Sequence, residues 1–349
     1  MQIDRIRILP LSLGVLLALS IGCPERSTTS PVIESVGPAP TRLLGNTIRI
    51  ATANLWGVSV LGFDWADDID ERFAAMARRL GANEASLDIV LIQEAWKDVA
   101  RRALLRDKGV VKNFPYRVDA VEEPGGAGLV ILSRFPIETA HFERFRAQGS
   151  CLKFWEGDCI SGKGILAVRV HLGDRSLWIA NTHLIACYLR SSESETACDS
   201  LDPNGQDRGR QIIEARRAVE RLVGRDPIVL GGDFNLTRTS RHYPWMTSAM
   251  IPADPYAADP SAPHSVATES ARGWTEPNEE VVVRNRLDYL WTRPGMDVRW
   301  QPQKSVQSIF TEPVELRSGE SVALSDHPVL ATEVCLVRVD DPENRCLPF

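Results

Sequence analysis

Hydrophobic residues along this chain come mostly in short runs that carry or end on a polar residue. Eight runs are rich in Val, Ile and Leu: IRIATANL (48–55), DIVLIQE (88–94), LVILS (129–133), GILAVRVHL (164–172), SLWIANTHL (176–184), PIVLGGDFN (227–235), RLDYLWT (286–292) and PVLATEVCLV (328–337). Short apolar runs bounded by Gly, Pro and Asp read as buried strands. Two segments keep a helical period instead, with Ile69, Phe73, Met76, Ala77 and Leu80 on one face, and Ile212, Val219, Leu222 and Val223 on another. Many strands with few helices imply an α/β chain of two packed sheets flanked by helices, one large core over residues 46–349. Residues 236–285 and 301–325 hold no sustained period and read as long loops, where substrate recognition concentrates.

Composition acts by exclusion. With 44% hydrophobic and 25% charged residues, the 349-residue chain is not of the disordered, coiled-coil, collagen-like or multispan membrane kind. A formal net charge of −6 argues against a broad basic surface that tracks a nucleic-acid backbone. It does not exclude a nuclease, because an enzyme that brings a divalent cation meets phosphate with acidic residues.

Met1 to Arg7 carries two arginines, Ile8 to Gly22 is uncharged and apolar, and Cys23 follows. The stretch is too short to span a bilayer and has the order of a secretory signal, so residues 1–22 are expected to be removed. Its end, Leu19-Ser20-Ile21-Gly22-Cys23, resembles a bacterial lipoprotein box, which implies lipidation of Cys23 and a flexible tether over residues 23–45. The expected protein is exported, either as a lipoprotein of the outer or cytoplasmic membrane or, with plain cleavage, as a secreted one. The six remaining cysteines form three local couples, Cys151 with Cys159, Cys187 with Cys198 and Cys335 with Cys346, as in an exported protein that staples its own loops. Other connectivities, and buried free thiols, stay open at this point.

The polar residues in and after these runs carry the chemistry. In chain order they are Asn54, Glu94, His183, Asp233 with Asn235, Asp288, and Asp326 with His327. Carboxylates and amides at the ends of buried strands can converge at one rim of a core, where burial is costly unless they bind something. Oxygen donors suit magnesium, with manganese or another divalent cation as alternatives, and no Cys/His cluster has zinc spacing. Taken singly, Glu94 could cap a helix, Asp233-Phe234-Asn235 could be a turn after Gly231-Gly232, and Asp326-His327-Pro328 could be a plain loop.

Together, NLWG, QE, NTHL, GGDFN, RLDYL and SDHP, in that order over about residues 47–337, resemble the endonuclease/exonuclease/phosphatase superfamily. That resemblance implies a deoxyribonuclease-like, four-layer α/β sandwich of two packed mixed sheets flanked by helices. Within the superfamily, ANLWG (53–57), DIVLIQEAW (88–96), GLVILSRFPI (128–137), GDCISGKG (157–164) and NTHLIACY (181–188) resemble the neutral sphingomyelinases. Asp158 and Lys163 match an Asp and a Lys that this family carries in a loop before a strand. One departure is Ala186-Cys187-Tyr188, where the family has an acidic residue two before the tyrosine, followed by an apparent insertion to Cys198. That loop leaves head-group preference open.

The resemblance implies a metal-dependent phosphodiesterase that releases a phosphorylated head group. Glu94, Asn54 and Asp326 would hold magnesium, and His327, oriented by Asp288, would be the general base. Asp233 would position the water, Asn235 and His183 would donate to the phosphoryl oxygens, and Lys163, held by Asp158, would add positive charge. The substrate would be a membrane phospholipid met by a monomer, with Trp65, Trp155, Tyr243 and Trp245 as aromatics that could enter the bilayer. The rivals are a secreted endonuclease or exonuclease acting on nucleic acid, with Arg241 and Arg272 along its groove, an inositol-lipid phosphatase, and a lipoprotein that keeps the fold for binding alone. The complete set of polar residues weighs against the last.

Overall fold

The computed structural model describes residues 28–36, 45–60, 63–120, 126–149, 161–173, 175–187, 199–202, 204–252 and 287–348. Along the chain the principal elements are β1 (Ile48–Asn54), α1 (Ile69–Ala82), β2 (Ile89–Gln93), α2 (Asp98–Arg106), β3 (Tyr116–Asp119), β4 (Val130–Ser133), β5 (Ile137–Arg144) and β6 (Gly164–Leu172). They continue with β7 (Arg175–His183), α3 (Gly205–Val223), β8 (Ile228–Asp233), β9 (Asp288–Arg293), β10 (Val298–Pro302) and β11 (Val329–Arg338). All eight apolar runs are strands, and both amphipathic segments are helices.

One sheet runs β10-β11-β1-β2-β4-β3 and ends on Ile33–Ser35, while the other runs from Thr28–Thr29 through β5-β6-β7-β8-β9 to Ile251–Pro252. Each is mixed: β1 and β2 are parallel, as are β7 and β8, and the other pairs among these strands are antiparallel. Strand alternation sorts the side chains into layers. Ile48, Ile50, Ile89 and Leu91 of the first sheet pack on Leu166, Val168, Ile179 and Val229 of the second. The intervening residues face outward, Ala51, Ala53, Val90 and Ile92 against Phe73, Met76 and Leu80 of α1, and Ile165, Ala180 and Leu230 against Ile212, Ala215 and Val219 of α3. The order helix, sheet, sheet, helix is the expected four-layer sandwich.

Periodicity alone passes over several elements. Strand β5 (IETAHFER) exposes adjacent Glu138 and Thr139, which breaks its alternation, and α2 is only nine residues long. Part of the stretch read as a tether is also ordered: Thr28–Thr29 pairs with β5 and Ile33–Ser35 with β3, closing one edge of each sheet. The ladder hydrogen bonds, and Arg117 donating to Glu34 at 3.2 Å, hold a sequence too polar to show a strand pattern. Cys335 and Cys346 form the expected disulfide, tying β11 to the C-terminal segment. Cys187 is also disulfide-bonded, whereas Cys23, Cys151, Cys159 and Cys198 lie outside the described residues.

Candidate active site

The site grows out of strand parity. On β1, β2, β7 and β8 the row that begins with inward Ile48, Ile89, Leu177 and Val229 continues, two residues at a time, to Asn54, Gln93, His183 and Asp233 at the strand ends. Register places these ends together: Asn54 stands opposite Gln93, His183 opposite Asp233, and Asp233 opposite Asp288. The inter-sheet core therefore ends in a polar cap. Two glycines permit it: a Cβ on Gly231 would fall 2.5 Å from the Leu91 side chain, and one on Gly232, at φ +142°, would fall 1.9 Å from the Thr182 carbonyl oxygen.

Beneath the cap, Gln93 donates to Asn181 at 2.6 Å and Asn181 donates to the carbonyls of Ile92 and Val130, so a buried polar bridge joins the sheets. Above it, the Asn54 amide donates to Glu94 Oε1 at 2.9 Å and to Asp233 Oδ2 at 3.1 Å. The Asn54 oxygen accepts from the Trp56 amide at 2.9 Å and keeps its second lone pair. Glu94 and Asn235 leave their strands in left-handed conformations, at φ 56° and 45°. That strained backbone is tolerated where the surroundings over-determine it. The Asn235 side chain is turned to the Leu184 carbonyl, to which it donates at 3.0 Å.

Two histidines enter from opposite sides. His327 Nδ1 lies 2.8 Å from Asp288 Oδ2, and its Nε2 lies 3.9 Å from Asp233 Oδ2. His183 Nε2 lies 3.7 Å from Glu94 Oε1, 3.6 Å from Asp233 Oδ2 and 3.0 Å from the Lys163 ammonium, which donates to the ring. Lys163 is itself buried, its Nζ 5.3 Å from the centroid of the Trp96 ring. Burial opposes the charge of His327, but Asp288, Asp326 and Asp233 outweigh it and hold the imidazolium well above its ordinary range. Burial, then Lys163, hold His183 well below.

The carboxylates show what the cap lacks. Burial, then the charge of Asp326, push Glu94 up to about 7, and burial, then Asp288, push Asp233 up to about 6. Burial also raises Asp326. Glu94 Oε2 is buried without a hydrogen-bond partner. Crowded carboxylates with an orphan oxygen fit a hard divalent cation, which supplies the charge they are missing. Asn54 touches Glu94 directly, and Asp326 is near enough for its charge to raise the Glu94 pKa. One oxygen each of Glu94 and Asp233 and a nitrogen of His183 also lie within 4.8 Å of one another, as do atoms of Asp233, Asp288 and His327.

The predicted residues Asn54, Glu94, Lys163, His183, Asp233, Asn235, Asp288, Asp326 and His327 thus gather at one end of the sandwich. Asp158, Trp155 and Arg272 lie outside the described residues. Arg241, the other candidate for a nucleic-acid groove, is tied down through its amide and guanidinium to Asp199. Gln93, Asn181, Trp96 and the buried Arg72 were not singled out from the sequence. For Gln93 and Asn181 the signal was present, since both occupy the inward parity of apolar strands.

A model of the Endonuclease/Exonuclease/phosphatase family matches residues 51–327, and the chain belongs to that family. It is 25% identical over 301 residues to a Drosophila melanogaster protein named "Putative neutral sphingomyelinase", covering 84% of this chain and 62% of the relative. It is 28% identical over 205 residues to an inositol phosphosphingolipids phospholipase C of Schizosaccharomyces pombe, covering 58% of this chain and 44% of the relative. The chain thus spans less than two thirds of the length of either. The crystal structure of sphingomyelinase C from Streptomyces griseocarneus superposes with a TM-score of 0.54 at 21% identity, over 82% of this chain and 99% of that one. That likeness shows the shared architecture, the deoxyribonuclease-like sandwich implied by the motifs.

Proposed function

We propose that the protein is a magnesium-dependent phosphodiester hydrolase of the sphingomyelinase type, a phospholipase C that releases a phosphorylated head group from a membrane sphingolipid. The observation that carries this reading is the convergence of Asn54, Glu94, Asp233, Asp288, Asp326 and both histidines on one cap around an unpartnered, buried carboxylate oxygen. The names of the two curated relatives, both of which refer to sphingolipids, support the substrate class.

When bound at Asn54, Glu94 and Asp326, the cation supplies Lewis-acid polarisation of a phosphoryl oxygen. The remaining chemistry belongs to the chain. Asp288 fixes His327 with Nε2 toward Asp233, and neutralising the Asp326 charge would lower its basicity. The ring then exchanges a proton with a water held by Asp233. Lys163 presents positive charge to the phosphoryl oxygens, the neutral His183, whose ring accepts from Lys163 here, adds an N–H donor once its other tautomer turns to them, and Asn235 adds an amide donor once it turns from Leu184.

The lipid reading has a surface to use. The hairpin of Ser59–Val60 and Phe63–Asp64 is fixed to the site through Gly57 donating to the Glu94 carbonyl and through Lys97 bridging Asp64 and Asp70. It presents Phe63, 74% exposed, and is followed by Trp65, 47% exposed. Trp245 is partly exposed on another face, whereas Tyr243 packs against Tyr289 and Trp291. Among the described residues no helix is long and apolar enough to cross a membrane. Export and anchoring through Cys23 remain part of the proposal, supported by the basic-apolar-Cys order of the N-terminus.

The test is phosphocholine release from sphingomyelin liposomes with magnesium, alongside inositol-bearing sphingolipid and plasmid DNA. Release that His327→Ala abolishes is expected. Plasmid nicking without lipid hydrolysis would overturn the substrate class, and silence on every phosphodiester from a folded protein would overturn the reading.

A further inference from the structure

We infer that Arg72, at the start of α1, is a positioning residue that sets the geometry of the cation side of the site by clamping two distant loops together. The inference rests on the reading that a divalent cation sits at Asn54, Glu94 and Asp326. Arg72 is 3% exposed and projects from the same helix face as Ile69 and Phe73, where an apolar side chain would be buried at far lower cost. Its guanidinium donates to four main-chain carbonyls: Asp67 at 2.9 Å, Leu55 at 2.7 Å, Trp56 at 2.7 Å and Leu324 at 3.2 Å.

Those acceptors are placed where they matter. Leu55 and Trp56 directly follow Asn54, and Trp56, held at φ 47°, is the residue whose amide donates to the Asn54 oxygen. Leu324 precedes Ser325, Asp326 and His327. Ser325 in turn donates to Asp326 Oδ1 at 3.1 Å and accepts from the His327 amide at 3.2 Å. One planar fork therefore fixes the loop that aims Asn54 and the loop that aims Asp326 and His327, with the Trp56 ring 5.0 Å from its carbon. The same positive charge faces Asp326 and Glu94 from below. A lysine keeps the charge but cannot reach carbonyls in three directions from one rigid plane.

The test compares Arg72→Lys with Arg117→Lys in the full chain. Arg117 is a matched control, buried on β3 and donating to the carbonyls of Phe114 and Pro115, but two strands from β2. Magnesium affinity is read by calorimetry and turnover by hydrolysis of bis(p-nitrophenyl) phosphate, with thermal unfolding recorded for each variant. Arg72→Lys is expected to weaken magnesium about tenfold or more and to lower kcat more than it changes KM, while Arg117→Lys leaves both near wild type at a similar loss of Tm. A folded Arg72→Lys with wild-type magnesium affinity, or equal losses in both variants, would overturn the clamp. Should Arg72→Lys fail to fold, Arg72→Gln serves, since its single amide cannot bridge the Leu55–Trp56 and Leu324 carbonyls: about threefold or more weaker magnesium binding supports the clamp, and unchanged affinity overturns it. Absence of magnesium binding by the wild type would instead refute the functional reading, and the inference with it.

Discussion

His183 and His327 face the same polar cap, yet their surroundings drive them to opposite protonation states. His183 ends β7, a buried central strand, and shares its corner with a buried lysine. His327 stands on a loop before β11, among Asp288, Asp326 and Asp233. Burial disfavours the charged form of both, so the difference comes from neighbours alone. One side of the cap is built to present fixed positive charge and a neutral donor, the other to hold and move a proton. A phosphodiester needs both, one for its oxygens and one for the water and the leaving group.

The comparison can be broken most severely on the acidic side. His327→Ala is expected to cost roughly 10²–10⁴-fold in kcat without loss of fold, measured on liposomes and on a soluble diester. Asp288→Asn should come next: it keeps the ring in contact but removes the charge, so turnover falls by about a hundredfold and the imidazole pKa moves down. On the basic side, Lys163→Met should cost about a hundredfold. It should also raise the pKa of His183, because the lysine is part of what holds that ring neutral.

The carboxylates sharpen the contrast through pH. Glu94 at about 7 and Asp233 at about 6 retain protons that an unfolded chain has released, so their contribution to stability declines as pH rises from 3.8 to about 7. The raised His327 acts in the same sense, losing its contribution as pH rises through its folded value, while the depressed His183 costs stability below 6.5. A cation at Glu94 takes the place of protons. The magnesium-induced rise in Tm is therefore expected to be small at pH 5.5 and a few degrees larger at pH 8, by calorimetry. The smallest effect belongs to the surface: Phe63→Ala with Trp65→Ala should weaken liposome binding about tenfold and leave turnover of a soluble diester unchanged.

Much of this was legible in the sequence because strands write their parity into it. Ile48, Ile50 and Asn54, or Ile179 and His183, lie on one face by count alone, and a polar residue closing such a row is conspicuous. The rest depends on contacts between distant segments. Thr28–Thr29 and Ile33–Ser35 are strands only because β5 and β3 offer free edges, and nothing in their own composition says so. Arg72 reads as an ordinary solvated helix residue until the carbonyls of Leu55, Trp56 and Leu324 are seen around it. The protonation of the histidines was equally hidden, since it depends on burial and on Lys163, Asp288 and Asp233, which are remote from them in the chain.

The most direct measurement is an NMR pH titration of the two imidazoles, assigned with His183→Asn and His327→Asn, with and without magnesium. Without the cation, His327 is expected to stay protonated well above pH 6.5 and His183 to stay neutral well below it, and magnesium should lower the His327 pKa by about a unit or more. Two rings titrating together near 6.5, indifferent to magnesium, would contradict the division of this cap into a proton-holding side and a charge-presenting side.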